Sequence, residues 1–458
     1  MAKFSLFLIA LLSSFWAFSQ DQFQGQWKGE VIGLDMYINI SEELLLTIPA
    51  QGVLNKEATN FEISGNRLDF YYQAYAASFI GELANDTITG EWKQSGQTFD
   101  VQLIKTDEVF EIKRSQEPLA EINYLSEDVN FDSSGEDKFL MAGTITKPKG
   151  DGPFPAIVLV SGSGPQNRNS EIFNHRPFLI LADFFTRNGY LVLRYDDRGI
   201  GESKGYFAKV TTADLADDTD GAIEYLNKRD DVDKSRIGIM GHSEGGMIAP
   251  MVASDNENVD FIVLLAGPGD KVKNLMKFQL NRQYEMMDGL SDEGVEAAKE
   301  FNNNMIELVA SGKPNDELVD ELRQFTSNFY YKLTEEDQKL IAPSEQRFYF
   351  QIAPSMLNGY MKYFLAFEPK EYLTKVTVPT LAMNGKKDVQ VTWKENINAI
   401  KESYNESGQK DKLTIKTYKH LNHLFQTSET GEGSEYFTNE ETFNEKAMND
   451  MLEWLNKL

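Results

Sequence analysis

The sequence predicts an α/β protein whose mostly parallel sheet carries a helical cap insertion and is preceded by a small all-β domain. Three observations predict it. Up to about Thr106, short runs with period-two alternation such as "LDMYINI" are separated by turn signals such as "SGN" and "QSG". Beyond about Asp128, continuous apolar runs such as "AIVLVSG" and "FIVLLAG" alternate with helical patterns, as in a sheet covered on both faces. Between Asp270 and about Thr374 that alternation stops, and helix-like, charged, Met- and aromatic-rich sequence intervenes.

Taken in order, the chain opens with "MAKFSLFLIALLSSFWAFSQ": Lys3, an apolar run from Phe4, then Ala17 and Ser19. This reads as a secretory signal peptide over 1–19, too short for a span and without a stop-transfer charge cluster. Residues 20–112 follow as the all-β accessory domain, a small sandwich or barrel, without a histidine or an acid/base cluster. A polar stretch over 113–127, "RSQEPLAEINYLSED" at its core, reads as a linker. From 128 to 458 runs the α/β domain, opened by a hairpin of "DVNFDSSG" and "FLMAGTITKP". Its parallel strands are expected at "AIVLVSG", "YLVLRYD", "RIGIMG", "FIVLLAG", "TLAMNG" and "LTIKTY". The insertion over about 271–374 falls on the edge where strand carboxyl ends open, so it is expected to cap a site. Its Phe348, Phe350 and Tyr363 are candidates for cap core or pocket wall.

Composition removes several classes of function. The formal net charge of −26 argues against nucleic acid as partner, because that affinity comes largely from Lys and Arg neutralising phosphates. With no cysteine there is no disulfide, no thiolate metal site and no lipid on an N-terminal cysteine. No later apolar run has the length to cross a bilayer. With the leader, this predicts a secreted or periplasmic protein.

The chemistry centres on "RIGIMGHSEGGMIAP". Its Gly241, Ser243 and Gly245 form Gly-x-Ser-x-Gly between a predicted strand and a predicted helix, a turn on which a serine can be held as nucleophile. Pro250 predicts a kink in that helix. A serine hydroxyl needs a base, and the chain has four histidines. His175 opens the first predicted helix and reads as a loop or pocket residue; His242 adjoins Ser243, where neighbours on so sharp a turn project apart. His420 and His423 lie in "YKHLNHLFQ" after the last predicted strand. His423 is preferred, since it stands further into the loop and Leu424 and Phe425 can pack and fix its ring. The third member is a carboxylate on a loop after a strand: Asp388 in "VPTLAMNGKKDVQV", with Asp270 after "FIVLLAGPG" as its rival. Two backbone N–H groups should receive developing negative charge: that of Glu244, after the serine, and one from "SGSGPQNRN", for which Ser163 is chosen and Gly164 is next.

The motifs "GSGPQNRN", "YDDRGIGES", "GHSEGG", "NGKKD" and "LNHLFQ" stand in an order that resembles the α/β-hydrolase superfamily. Within it, the chain is similar to exported bacterial serine esterases with an N-terminal β domain, which are also grouped as serine-aminopeptidase-like hydrolases. The resemblance implies Ser243, Asp388 and His423 as a triad, and Asp197 and Arg198 as residues that knit the loops beneath the site. It implies a carboxylesterase acting through an acyl-enzyme on a small-molecule ester. A serine peptidase or amidase on short peptides is the alternative, and an inactive-hydrolase binding protein is the third reading. Such chemistry requires neither metal nor organic cofactor. The acidic runs "DDTDGAIEY" and "DSSGED" lack full calcium-ligand spacing and read as solvated surface.

Overall fold

A computed structural model describes residues 22–94, 97–110, 113–118 and 122–458. The expected leader over 1–19 lies outside them. The chain divides into two compact units, Met1–Lys113 with Glu432–Glu440, and Arg114–Gly431 with Glu441–Leu458.

The first unit is a meander of β1 (Gly25–Val31), β2 (Leu34–Ile40), β3 (Leu44–Ile48), β4 (Val53–Glu57), β5 (Asn60–Ser64), β6 (Arg67–Tyr72), β7 (Ala77–Ala84), β8 (Thr87–Gln94) and β9 (Gln97–Thr106). All pairings are antiparallel, in the order β4-β3-β2-β1-β9-β8-β7-β6-β5. It is one open sheet with β4 and β5 as its edges, where the sequence allowed a sandwich or a closed barrel. The pairing of β1 with β9 joins the two halves edge to edge instead of face to face. Alternate residues of every strand but the outermost gather Trp27, Phe70, Phe79 and Trp92 into a single core, with Phe70 stacked on Phe79 at 5.1 Å. A short helix, Ser434–Thr438, belongs to this unit: a Cβ at Gly52, whose φ is +71°, would lie 2.1 Å from the Phe437 ring.

The second unit holds β10 (Leu125–Asp132), β11 (Leu140–Lys147), β12 (Phe154–Val160), β13 (Leu191–Tyr195), β14 (Val232–His242), β15 (Phe261–Leu265), β16 (Thr380–Gly385) and β17 (Leu413–Tyr418). They form one sheet in the order β10-β11-β13-β12-β14-β15-β16-β17. β10 and β11 make the expected hairpin, β11 is antiparallel to β13, and β12 to β17 are parallel. This is the α/β-hydrolase arrangement that the resemblance implies. β10 starts at Leu125, inside the stretch read as linker, because its first residues are polar and only Val129 and Phe131 alternate into the core.

Helices cover both faces: α1 (Pro177–Arg187), α2 (Thr212–Asn227) and α3 (Gly245–Asp255), the last continuing through Pro250. Between β15 and β16 come the cap helices α4 (Val272–Glu285), α5 (Asp292–Val309), α6 (Asn315–Lys332), α7 (Glu335–Ile341), α8 (Glu345–Met356), α9 (Gly359–Ala366) and α10 (Lys370–Leu373). The cap has its own core, in which Phe301, Phe329 and Phe348 pack ring to ring. After β16 comes α11 (Trp393–Glu406), and the helix Glu445–Leu455 closes the chain. Because β12 to β17 are parallel, the loops after β12, β14, β16 and β17 all open on one edge of the sheet.

Candidate active site

β14 ends at His242 and α3 begins at Gly245, so the chain reverses within two residues. Ser243 takes a φ of +53°, the left-handed region that a residue with a Cβ enters only under constraint. The constraint is visible: its N–H donates to the Leu265 carbonyl and its own carbonyl accepts from the Gly246 N–H, each at 2.8 Å. The flanking glycines are steric necessities. A Cβ on Gly241 would lie 2.0 Å from the Gly245 carbonyl oxygen, and one on Gly245 would lie 2.2 Å from that of Val160. Among the described residues the Ser243 hydroxyl has no hydrogen-bond partner, and it opens on a cavity whose wall also carries His423.

His423 Nδ1 lies 2.8 Å from Asp388 Oδ2, and both side chains are buried. Asp388 Oδ1 accepts from the N–H groups of Gln390 and Val391, each at 2.8 Å, so the carboxylate is fixed by its own turn. With Nδ1 engaged, Nε2 is the ring nitrogen left for the cavity. The loop around His423 is braced by Asn422, whose Oδ1 accepts from the N–H groups of Leu424 and Gln426, and by Phe425, stacked on Phe443 at 5.2 Å. His242 Nε2 donates to the His423 carbonyl at 2.9 Å. Burial, then the neighbouring His423 ring, push the His242 pKa down to about 3, so this histidine stays neutral and serves as a brace. The competing candidates lie elsewhere. His420 is exposed, and Asp270 accepts from the Lys271 N–H and the Asn274 amide. His175 is fully enclosed between Thr442 and Gln426.

Ser163 and Gly164 lie on the loop after β12. Among the described residues the N–H groups of Ser163 and Glu244 donate to no main-chain carbonyl. Asp197 holds this loop from beneath: its carboxylate accepts from the Gln166 N–H at 2.8 Å and from the Ser161 hydroxyl at 3.1 Å. Burial pushes the Asp197 carboxyl up to about 7. Arg198 forms a two-pronged pair with Asp218, both contacts at 2.8 Å. That corrects one reading of the sequence. Within "DDTDGAIEY", Asp218 is not solvated surface; it sits on the inward face of α2, fully buried, because the Arg198 guanidinium is there to meet it.

The cavity measures about 310 Å³. The cap contributes Leu275, Met276 and Gln279 from α4 and Tyr360, Met361 and Phe364 from α9. None of the three cap aromatics singled out in the sequence lines it. Phe348 is in the cap core, Phe350 faces solvent, and Tyr363 packs against the main core on another side of α9. Two hydrogen bonds tie the cap to the loops of the site: Tyr360 donates to Glu244 Oε2 at 2.6 Å, and the Gln279 amide donates to the Gln390 carbonyl at 3.1 Å. Among the described residues no group of three His, Asp or Glu side chains is placed to hold a metal ion.

Residues 137–422 match the family described as X-Pro dipeptidyl-peptidase (S15 family). The chain belongs to the S15 family. The S15 match stops at Asn422, one residue before His423. Among curated relatives, Esterase EstD of Thermotoga maritima is 27% identical over 317 residues, 69% of this chain and 66% of the relative. The chain thus spans just under two thirds of that relative's length. A putative hydrolase of Bacillus subtilis, YtaP, is 27% identical over 207 residues, 41% of this chain and 67% of the relative. Among solved structures, an esterase of Pyrococcus furiosus is 15% identical with a TM-score of 0.43, covering 76% of this chain and 99% of its own. This S15 member carries its matched residues on the mixed, helix-covered sheet of the second unit.

Proposed function

We propose that the chain is a carboxylesterase working through an acyl-enzyme on Ser243. His423 takes the hydroxyl proton at Nε2 as Oγ attacks the ester carbonyl, and Asp388 holds the Nδ1–H tautomer and offsets the imidazolium charge. The N–H groups of Glu244 and Ser163 receive the oxyanion. Collapse breaks the C–O bond, and His423 returns its proton to the departing alkoxide. Water, deprotonated by the same imidazole, then releases the acid and restores Ser243.

The observation that carries this reading is the buried His423–Asp388 pair, 2.8 Å apart, on a cavity shared with a serine held at φ +53°. Similarity to Esterase EstD supports the ester class. So does the cavity wall, which has no Lys or Arg and whose one carboxylate, Glu244, has both oxygens engaged, by Thr212 and Tyr360. A neutral, largely apolar acyl ester suits such a wall. The family description favours a second reading, a peptidase on short peptides; its ammonium group would need an open carboxylate. The signal-like leader supports export to the periplasm or exterior, with a small-molecule ester as partner.

The test is turnover of nitrophenyl acyl esters against aminoacyl nitroanilides, with labelling by a serine-directed phosphonate. Ser243→Ala should lower kcat on esters by something on the order of 10⁶. Parent-like turnover by that variant rejects the mechanism, and anilide turnover exceeding ester turnover selects the peptidase.

A further inference from the structure

Glu244 follows Ser243 directly and stands at the N-cap of α3, yet its side chain makes no capping bond. It turns away from its own helix. Its residue is 1% exposed, and a carboxylate withdrawn from water that far is costly unless its oxygens are bonded. Thr212, the first residue of α2, donates to Oε1 at 2.6 Å, and Tyr360, in the first turn of α9, donates to Oε2 at 2.6 Å. Burial raises the carboxyl's pKa, and the hydrogen bonds from these hydroxyls oppose that rise. Separate elements therefore meet on one carboxylate: the serine turn, the helix beneath it, the cap above it and, through the Ser163 side chain, the loop after β12. Tyr360 is itself stacked on Phe364 at 5.4 Å, so its hydroxyl is presented by a packed ring.

Resting on the ester-hydrolase reading, we propose that Glu244 is a positioning residue, with Tyr360 and Thr212 as its holders, that fixes the N–H beside the nucleophile and makes its placement depend on a seated cap. The geometry gives the reason. Side chain and N–H of Glu244 leave the same Cα, between a strained Ser243 and the first turn of α3. Pinning both carboxylate oxygens removes the rotamer freedom through which the Ser243–Glu244 peptide could rock. Displacements of about 1 Å at such a donor cost on the order of 10²-fold in rate. When α9 lifts, Oε2 loses its bond from Tyr360, and the carboxylate keeps only Thr212 and the Ser163 side chain. The cap thus reports its closure to the oxyanion donor through one hydrogen bond, and unseated substrate meets a poorly set site.

The test is a double-mutant cycle of Tyr360→Phe and Glu244→Gln. It reads kcat and KM on a short-chain nitrophenyl ester, the rate of inactivation by a serine-directed phosphonate, and the thermal midpoint. Each single change should lower kcat by about 10- to 100-fold with KM within about three-fold. The double variant should be little worse than Glu244→Gln alone, because Tyr360 acts through Glu244. Multiplicative losses, losses confined to KM, or losses that follow the midpoint would overturn the proposal. If Glu244→Gln does not fold, Thr212→Ser against Thr212→Val decides: the hydroxyl-bearing variant should keep more of kcat, and equal losses would count against the proposal. Failure of the parent to react with the phosphonate strikes at Ser243 as nucleophile. Undiminished inactivation in the variants strikes only at the positioning role.

Discussion

At Ser243 the backbone is held where a side chain costs about 1–3 kcal/mol and glycine costs little. Ser243→Gly should therefore raise the thermal midpoint while abolishing turnover, whereas Ser243→Ala abolishes turnover without that gain. Equal midpoints for the two variants would show that the turn stores no strain. Asp197 gives a second expectation. Its carboxyl, near 7 in the folded chain and near 3.8 when unfolded, holds a proton that the unfolded chain has released between those values. Stability from this group is thus full below about 4, is lost progressively as pH rises to about 7, and is level above. Urea midpoints measured from pH 4 to 8 should fall with pH more steeply in the parent than in Asp197→Asn; parallel curves would refute the assignment. The placing of Ser243, Asp388 and His423 on loops after strands, and with it the Asp388–His423 pair, could be read from the sequence because each stretch has local turn chemistry. Tyr360 was not, since nothing in its own spacing says that it will meet Glu244, 116 positions away.

Elements written as continuous apolar runs, such as β12 and β15, are buried on both faces and could be read directly. β4 could not. Only Val53 of "VLNKE" is buried, because an edge strand needs no alternating pattern to pair. The insertion was legible as helical, but the side of α9 that faces the cavity was not, because an amphipathic pattern does not say which core each side meets. α2 shows the same limit in its charges, where the periodicity marks a helix and only the fold reveals that Asp218 is met by Arg198. Arg198→Leu should accordingly cost about 3–5 kcal/mol, since it leaves a buried carboxylate unpaired. A change in the urea-derived stability below about 1 kcal/mol would mean that this pair does not hold the loop to the helix.

In the whole molecule, two units are built from a chain that contributes to the first one twice. Phe437 is nearly buried, with its ring set over Gly52 between β3 and β4. Phe437→Ala should cost about 3–5 kcal/mol there. Hydrogen exchange read by mass spectrometry should then quicken in β3 and β4 and leave α5, deep in the cap, unchanged; unchanged β3 would reject the contact as structural. The open nine-stranded sheet and this late contribution were both invisible in sequence, because hairpin signals give neighbours along the chain and say nothing of a distant segment that joins them.

That late segment also orders events on the ribosome. Glu432–Glu440 is synthesised roughly 320 residues after Lys113, and at about 5–20 residues per second the delay is on the order of tens of seconds. The β1–β9 sheet is therefore made long before the segment that completes it, and a nascent chain stalled in between carries a bare corner at Pro49–Gln51.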